Sequence, residues 1–200
     1  MSASDVYAVN MSENGNSVNL KKRSYHHGGL RAALIAEGLR LLGERNVDAL
    51  SLREVARGVG VSATSVYRHF PDKDALLTAL ALEGLAQLGA AQRAAGEEAG
   101  GGSAGFAATG RAYVRFALAH PALFRLIFTS PVLAPAKAAG TLDSEAGTLL
   151  QANAAMMAAR QGGEAAIRAI EAWALVHGLA MLMLDGQIPA DETITEKVIG

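Results

Sequence analysis

The sequence predicts an all-α chain, with an N-terminal three-helix unit built around a helix-turn-helix and a C-terminal helical domain behind it. Two observations predict this. Apolar residues recur at three- and four-residue intervals through most of the chain, and no stretch alternates β-branched residues as a strand would. Glycines, prolines and capping residues then cut the pattern into segments of helix length. The expected division is an arm of residues 1–24, a compact unit at 25–72 and a larger domain at 73–200.

The arm is polar and aperiodic, as a disordered segment is, and ends in Lys21, Lys22 and Arg23. Leu30, Leu34, Leu41 and Leu42, with Ala33 and Ile35 between them, predict a first helix over about residues 28–44. Ser51 stands three residues before Glu54, the capping-box pairing that opens a second, short helix. Gly58 and Gly60 mark its end, and Ser62 caps a third over 63–70. Pro71 stops that helix and Asp72 caps a fourth, which runs through Leu76, Leu77, Leu80, Leu85 and Leu88 to about residue 93. The glycine-rich run at 94–105 predicts a loop. Beyond it the Ala- and Leu-rich periodicity predicts helices at about 106–119, 121–129, 142–160 and 164–185, punctuated by Pro121, Pro131, Pro135 and the Gly162-Gly163 pair.

Totals restrict the function classes. Half of the 200 residues are hydrophobic, enough to bury a substantial core. The most apolar stretch, Leu175 to Leu184, falls short of the roughly 20 residues a membrane span requires. The polar first residues also lack a signal core, so the expectation is a cytoplasmic protein with no membrane partner. Without cysteine there are no disulfides, thiolate metal sites or thiol chemistry. His26 and His27 have no further ligand at usable spacing, so no metal is expected. No phosphate loop, nucleophile elbow or paired carboxylates stand in a catalytic context, so neither catalytic residues nor a cofactor is expected and the chain does not read as an enzyme. The net charge of −1 hides an asymmetry. From Leu20 to Lys73 ten Lys/Arg outnumber five Asp/Glu, whereas the rest of the chain is acidic. A basic first third suggests a nucleic-acid surface.

The segment SLREVARGVGVSATSVYRHFPDKDALL, beginning at Ser51, places two short helices about a glycine-bearing turn. Leu52, Val55, Ala56, Val61 and Val66 are spaced to pack the pair together, and Phe70 closes the unit as core. That leaves Ala63, Thr64, Ser65, Tyr67, Arg68 and His69 on the free side of the second helix. Small residues near the helix start let it sink into a DNA major groove about 12 Å wide, and side chains further along are hydrogen-bonding.

The run from Tyr25 to Leu80, with YHHGGLR, TSVYRHF and PDKDALL, resembles the DNA-binding domain of the TetR family. The resemblance implies that Ala63, Thr64 and Ser65 face base edges and that Arg53 reaches a base or phosphate. It also implies that Tyr67, His69 and Lys73 hold the DNA backbone; Leu52 stands where some relatives carry a polar residue, so no contact is expected there.

In the C-terminal domain Tyr113, Phe116, Phe124, Phe128, Met156, Met157, Trp173, Met181 and Met183 stand among small residues. Aromatic and Met side chains with a polar group such as His177 or Tyr113 suggest a concave apolar site. YVRFALAHPALFRLIF and WALVHG resemble the ligand-binding domain of a TetR subgroup with a Trp-His-Gly signature. The expected effector contacts are Tyr113, Phe116, Phe124, Phe128, Trp173, His177 and Met181. The resemblance implies an unidentified small-molecule effector and a homodimer through the helices at 142–160 and 164–185, where Ala165, Ala166, Ala169, Ala172 and Gly178 permit close approach. Its expected partner is double-stranded, nearly palindromic operator DNA, and repression relieved by the effector is the expected mode. A constitutive DNA-binding protein without an effector is the alternative.

Overall fold

The computed structural model describes residues 27–130, 133 and 144–200. The arm at 1–24, His26, the prolines 131 and 135, and the expected helix start at 142 lie outside them. Among the described residues there are nine helices: α1 His27–Glu44, α2 Leu52–Val59, α3 Ala63–Tyr67, α4 Lys73–Glu98, α5 Gly102–Ala119, α6 Pro121–Thr129, α7 Glu145–Gln161, α8 Ala165–Leu184 and α9 Glu192–Ile199. The chain is all-α, as the periodicity predicts.

Local chemistry sets most of the helix starts. Ser51 Oγ accepts the Glu54 N–H at 3.2 Å, Ser62 Oγ accepts that of Ser65 at 3.2 Å, and Asp72 Oδ1 accepts that of Ala75 at 2.7 Å. The Ser51–Glu54 pair departs from the reciprocal capping box. The Glu54 carboxylate accepts the Ser51 hydroxyl at 3.1 Å and Arg45 Nη1 at 2.6 Å, so a neighbouring cation holds the group that the motif directs to a backbone N–H. Those two hydrogen bonds, the arginine's foremost, hold the Glu54 carboxyl below the usual carboxylate range.

Three boundaries differ from expectation. The third helix ends at Tyr67, because the His69 N–H bonds back to Val66 and tightens the turn while Pro71 disfavours helical backbone at Phe70. The glycine-rich loop shrinks to a turn at residues 99–101, with α4 continuing to Glu98 and α5 beginning at Gly102. Glycine here serves two needs that a sequence reading merges. Gly100, Gly101 and Gly102 take φ of 77°, 71° and 61°, while Gly105 lets α5 pass so near α4 that an added Cβ would lie 2.9 Å from the Gly96 carbonyl oxygen. The third difference is α9, which the sequence reading did not predict. Asp191 caps it by accepting the Thr193 N–H at 2.8 Å.

The helix α4 is the spine. It packs on α1 of the N-terminal unit and on α5, α6 and α7 of the C-terminal one, and a single apolar cluster runs from Leu34 to Met183 across both. Phe70 and Phe124 are among the largest fully buried side chains, and each burial of this size contributes about 1.5–3 kcal/mol. The helices α7 and α8 form an antiparallel pair joined at Gly162-Gly163.

One expectation about apolar length needs correction. By length and composition both α4 and α8 are apolar enough to cross a membrane. The Leu175–Leu184 reading was too narrow because α8 carries its apolar character through 20 residues with only Arg168, Glu171 and His177 as titratable interruptions. The apolar window of α4 is 44% buried against its neighbours, whereas that of α8 is 22% buried and leaves Ile167, Ile170, Trp173, Leu175 and Leu182 exposed.

Candidate nucleic-acid interface and C-terminal cavity

The helix α3 is short, so its burial pattern is decisive. Val66 is 0% exposed and anchors α3 on α2, whereas Tyr67 is 46% exposed and Thr64 and Arg68 are also exposed. Ala63, Ser65 and His69 are half-buried at the rim of the same face. Gly60, at φ 78°, closes α2 and turns the chain so that the two helices pack through Leu52, Val55, Ala56 and Val66. The lightly built side of α3 is therefore open to solvent, as the helix-turn-helix reading requires.

Exposed cations stand on the same pair of helices. Arg53 and Arg57 are exposed one turn apart on α2, and with Arg68 they form no ion pair among the described residues. Arg40 and Arg45, further off, are neutralised by Glu37 and Glu44 and by Glu54 respectively. Arg57 was missed in the sequence reading, although its four-residue spacing from Arg53 was the available signal. Arg31 was missed as well; its guanidinium lies 5.4 Å from the centre of the Phe70 ring. Lys73 Nζ donates to the Asp48 carbonyl oxygen at 3.0 Å, tying the start of α4 to the loop before α2.

In the C-terminal domain five of the seven expected effector residues converge. The Tyr113 and Phe124 rings meet edge to face at 5.4 Å, Phe124 and Phe128 lie at 4.9 Å, and His177 sits 4.8 Å from Phe128 and 5.7 Å from Trp173. Phe116 packs its ring against His120 at 4.9 Å, and Met181 is half-buried against the core. Burial pushes the Tyr113 phenol well above its ordinary range, partly offset by the Trp173 indole N–H.

A cavity of about 720 Å³ opens one helical turn away, within the size range of small-molecule sites. Phe106, Leu149, Leu150, Leu175, Val176 and Ile199 supply apolar walls, with Gln92, Thr109 and Arg111 among the polar members. None of the seven expected residues lines it. Gly110 does, and Tyr113 follows it by one turn on α5, so the aromatic cluster continues the same helix beside the cavity. Of the apolar lining the sequence singles out Met157 alone for such a site, because the others come together only through the packing of α4, α5, α7, α8 and α9. Among the described residues no group of three or more His, Asp or Glu side chains is placed to hold a metal.

Comparison with known proteins agrees with this two-part arrangement. The model for "Bacterial regulatory proteins, tetR family" matches residues 34–80, and that for "Tetracyclin repressor-like, C-terminal domain" matches 106–198. The second match does not name a Trp-His-Gly subgroup, and that narrower resemblance is not confirmed. A protein of unknown function from Rhodococcus sp. RHA1 is 35% identical with a TM-score of 0.71, over 89% of this chain and 97% of its own. A TetR family transcription regulator from Marinobacter aquaeolei VT8 shares the fold at 18% identity and a TM-score of 0.60, over 84% of this chain and 91% of its own. The TetR family transcriptional regulator PfmR from Thermus thermophilus does so at 18% identity and 0.56, over 83% and 94%.

Proposed function

The chain belongs to the TetR family of transcriptional regulators, and from that premise we propose that it is a homodimeric cytoplasmic repressor, released from a nearly palindromic operator by a small molecule. The observation that carries the DNA half is the open face of α3, with Val66 buried behind it and exposed Arg53, Arg57 and Arg68 on the helix pair. In this reading Ala63, Thr64 and Ser65 meet base edges in the major groove, while Arg53, Tyr67, Arg68, His69 and Lys73 hold phosphates and set register.

One recognition helix of five residues offers few base contacts, and a two-fold pair doubles them at half-sites roughly 34–36 Å apart. The exposed apolar residues of α8, with Ile170 at 59% and Ile167 at 50%, support a second copy as their cover. The α7–α8 pair would then form the dimer interface.

The effector half rests on α4. One end, at Lys73, follows directly from the recognition helix, and Gln92 lines the cavity about 28 Å further along at 1.5 Å per residue. A ligand that prefers one placement of α4 shifts the population of recognition-helix spacings. A coupling of about 1–3 kcal/mol lowers operator affinity about 5- to 150-fold.

Selection of bound duplexes from a random pool tests the proposal, followed by a small-molecule release screen on the recovered site. The expected result is a two-fold symmetric sequence and at least one releasing compound. A purified protein indifferent to every duplex at low salt would end it.

A further inference from the structure

We infer that the effector site is the cavity walled by α4, α5, α7, α8 and α9, and that its ligand is a neutral, largely apolar molecule carrying a hydrogen-bond donor for Gln92 Oε1. The inference rests on the regulator reading above and specifies its ligand.

Four observations carry it. The first is the volume of about 720 Å³, and the second is a lining dominated by Phe106, Leu149, Leu150, Leu175, Val176 and Ile199, which select an apolar body. The third is Gln92. Its Oε1 is buried with no hydrogen-bond partner, the only such side-chain atom among the described residues, while its Nε2 donates to the Thr109 carbonyl oxygen at 3.3 Å. An unpaired buried acceptor is costly, and a donor that reaches it recovers that cost. The terminal amide torsion is soft, so Oε1 can be turned toward the cavity that Gln92 lines in exchange for the long Nε2 bond to Thr109.

The fourth observation concerns charge. Arg111 is the lone cation in the lining, and one of its N–H groups, on Nη1, donates to the Gly200 carbonyl oxygen. Thr109 Oγ1 is likewise engaged, donating to the Phe106 carbonyl oxygen at 2.7 Å. The polar group left wanting a partner is an acceptor, which a hydroxyl or amide N–H satisfies and a carboxylate repels. At Gln92 an alcohol, phenol or amide on an apolar frame therefore fits, and a carboxylate does not.

Calorimetric titration of the full chain with 2-naphthol, 2-methoxynaphthalene and 2-naphthoate tests this, since the three share a frame and differ in the donor. Wild-type protein is expected to bind 2-naphthol at least about tenfold tighter than either analogue, a difference of about 1.4 kcal/mol. In Gln92→Leu the preference should fall within about twofold while 2-methoxynaphthalene binds as before. Gln92→Met serves the same purpose if the leucine variant does not fold. Ala107→Trp, which fills the cavity from α5, should abolish binding of all three. Equal binding of the three identifies an amide already satisfied by water and overturns the assignment, as does tightest binding of 2-naphthoate. Protein that binds its selected duplex but none of the probes overturns the ligand assignment and leaves the regulator reading standing. Protein that shows the naphthol preference but binds no duplex upholds the ligand chemistry and overturns the regulator reading.

Discussion

The Tyr113 hydroxyl lies 2.9 Å from His177 Nδ1 and joins α5 to α8, and the Trp173 indole N–H donates to the same oxygen at 3.3 Å. Indole nitrogen only donates, so the tyrosine oxygen accepts there, and the tautomer of His177 decides which atom donates in the bond between Tyr113 and Nδ1. The Tyr113→Phe variant removes the shared centre and leaves two polar groups without it, so a stability loss of about 1–3 kcal/mol is expected in urea unfolding.

Alkaline pH should reveal the same residue. Burial raises the Tyr113 phenol in the folded state, so above the unfolded value of about 10 the unfolded chain releases a proton that the folded chain keeps. Its stabilisation is fully present below pH of about 10 and is lost as pH climbs toward the raised folded value. Wild-type unfolding energy should therefore fall more steeply than that of Tyr113→Phe across this alkaline range. Parallel pH profiles would show that the phenol is not withheld from solvent.

Gly105→Ala should be severe among helix glycine-to-alanine changes. The new Cβ meets the Gly96 backbone carbonyl oxygen at 2.9 Å, and a backbone atom has no rotamer to yield. The α4–α5 contact must open, for a cost of about 1–3 kcal/mol. Gly96→Ala presses instead on Thr109 Cγ2 at 3.1 Å and should cost less, while Gly43→Ala, with nothing within 4 Å, should stabilise α1 by about 0.5–1 kcal/mol. Thermal melts that rank the three otherwise would contradict this account of the turn.

The contrast between these glycines explains what was legible in the sequence. Ser51, Ser62 and Asp72 cap helices through bonds that span three residues, so the helix-turn-helix and its exposed face could be read locally. Whether Gly96 and Gly105 break a helix or let two helices touch depends on what lies across from them, and spacing carries no such information. The cavity was hidden for the same reason, since Gln92, Thr109, Leu149, Val176 and Ile199 come from five helices. Aromatic content pointed instead to Tyr113, Phe124, Phe128 and Trp173, large side chains that converge on one another and on His177. The helix α9 escaped because eight residues show little more than two turns of any period, although Asp191 marked its start.

Lys73 and Thr64 should separate affinity from specificity. Lys73→Ala removes a cation beside the recognition face and a hydrogen bond to Asp48, so binding to all duplexes should weaken. The slope of log affinity against log salt should flatten by about one per protomer, the signature of one lost phosphate contact. Thr64→Ala changes an exposed side chain on α3 without changing charge, so the slope should hold while the preferred bases change. Electrophoretic shifts across a salt series distinguish the two. An unchanged slope for Lys73→Ala would restrict that residue to its tie with Asp48.

The face of α8 gives the test of assembly. Ile170 is 59% exposed, and the exposed Ile167 and Trp173 lie one turn to either side of it on the helix, so Ile170→Arg changes little inside a protomer. Within a two-fold interface the same change places an arginine from each copy where apolar side chains meet, and desolvating such unpaired charges costs several kcal/mol. Sedimentation should then show a folded monomer whose circular dichroism and melting in dilute solution match those of dissociated wild type. Operator affinity should fall by more than the loss of any one base contact explains, because each recognition helix now binds alone. If Ile170→Arg remains a dimer with full operator affinity, the copies meet elsewhere and the exposed stripe on α8 has some other cover.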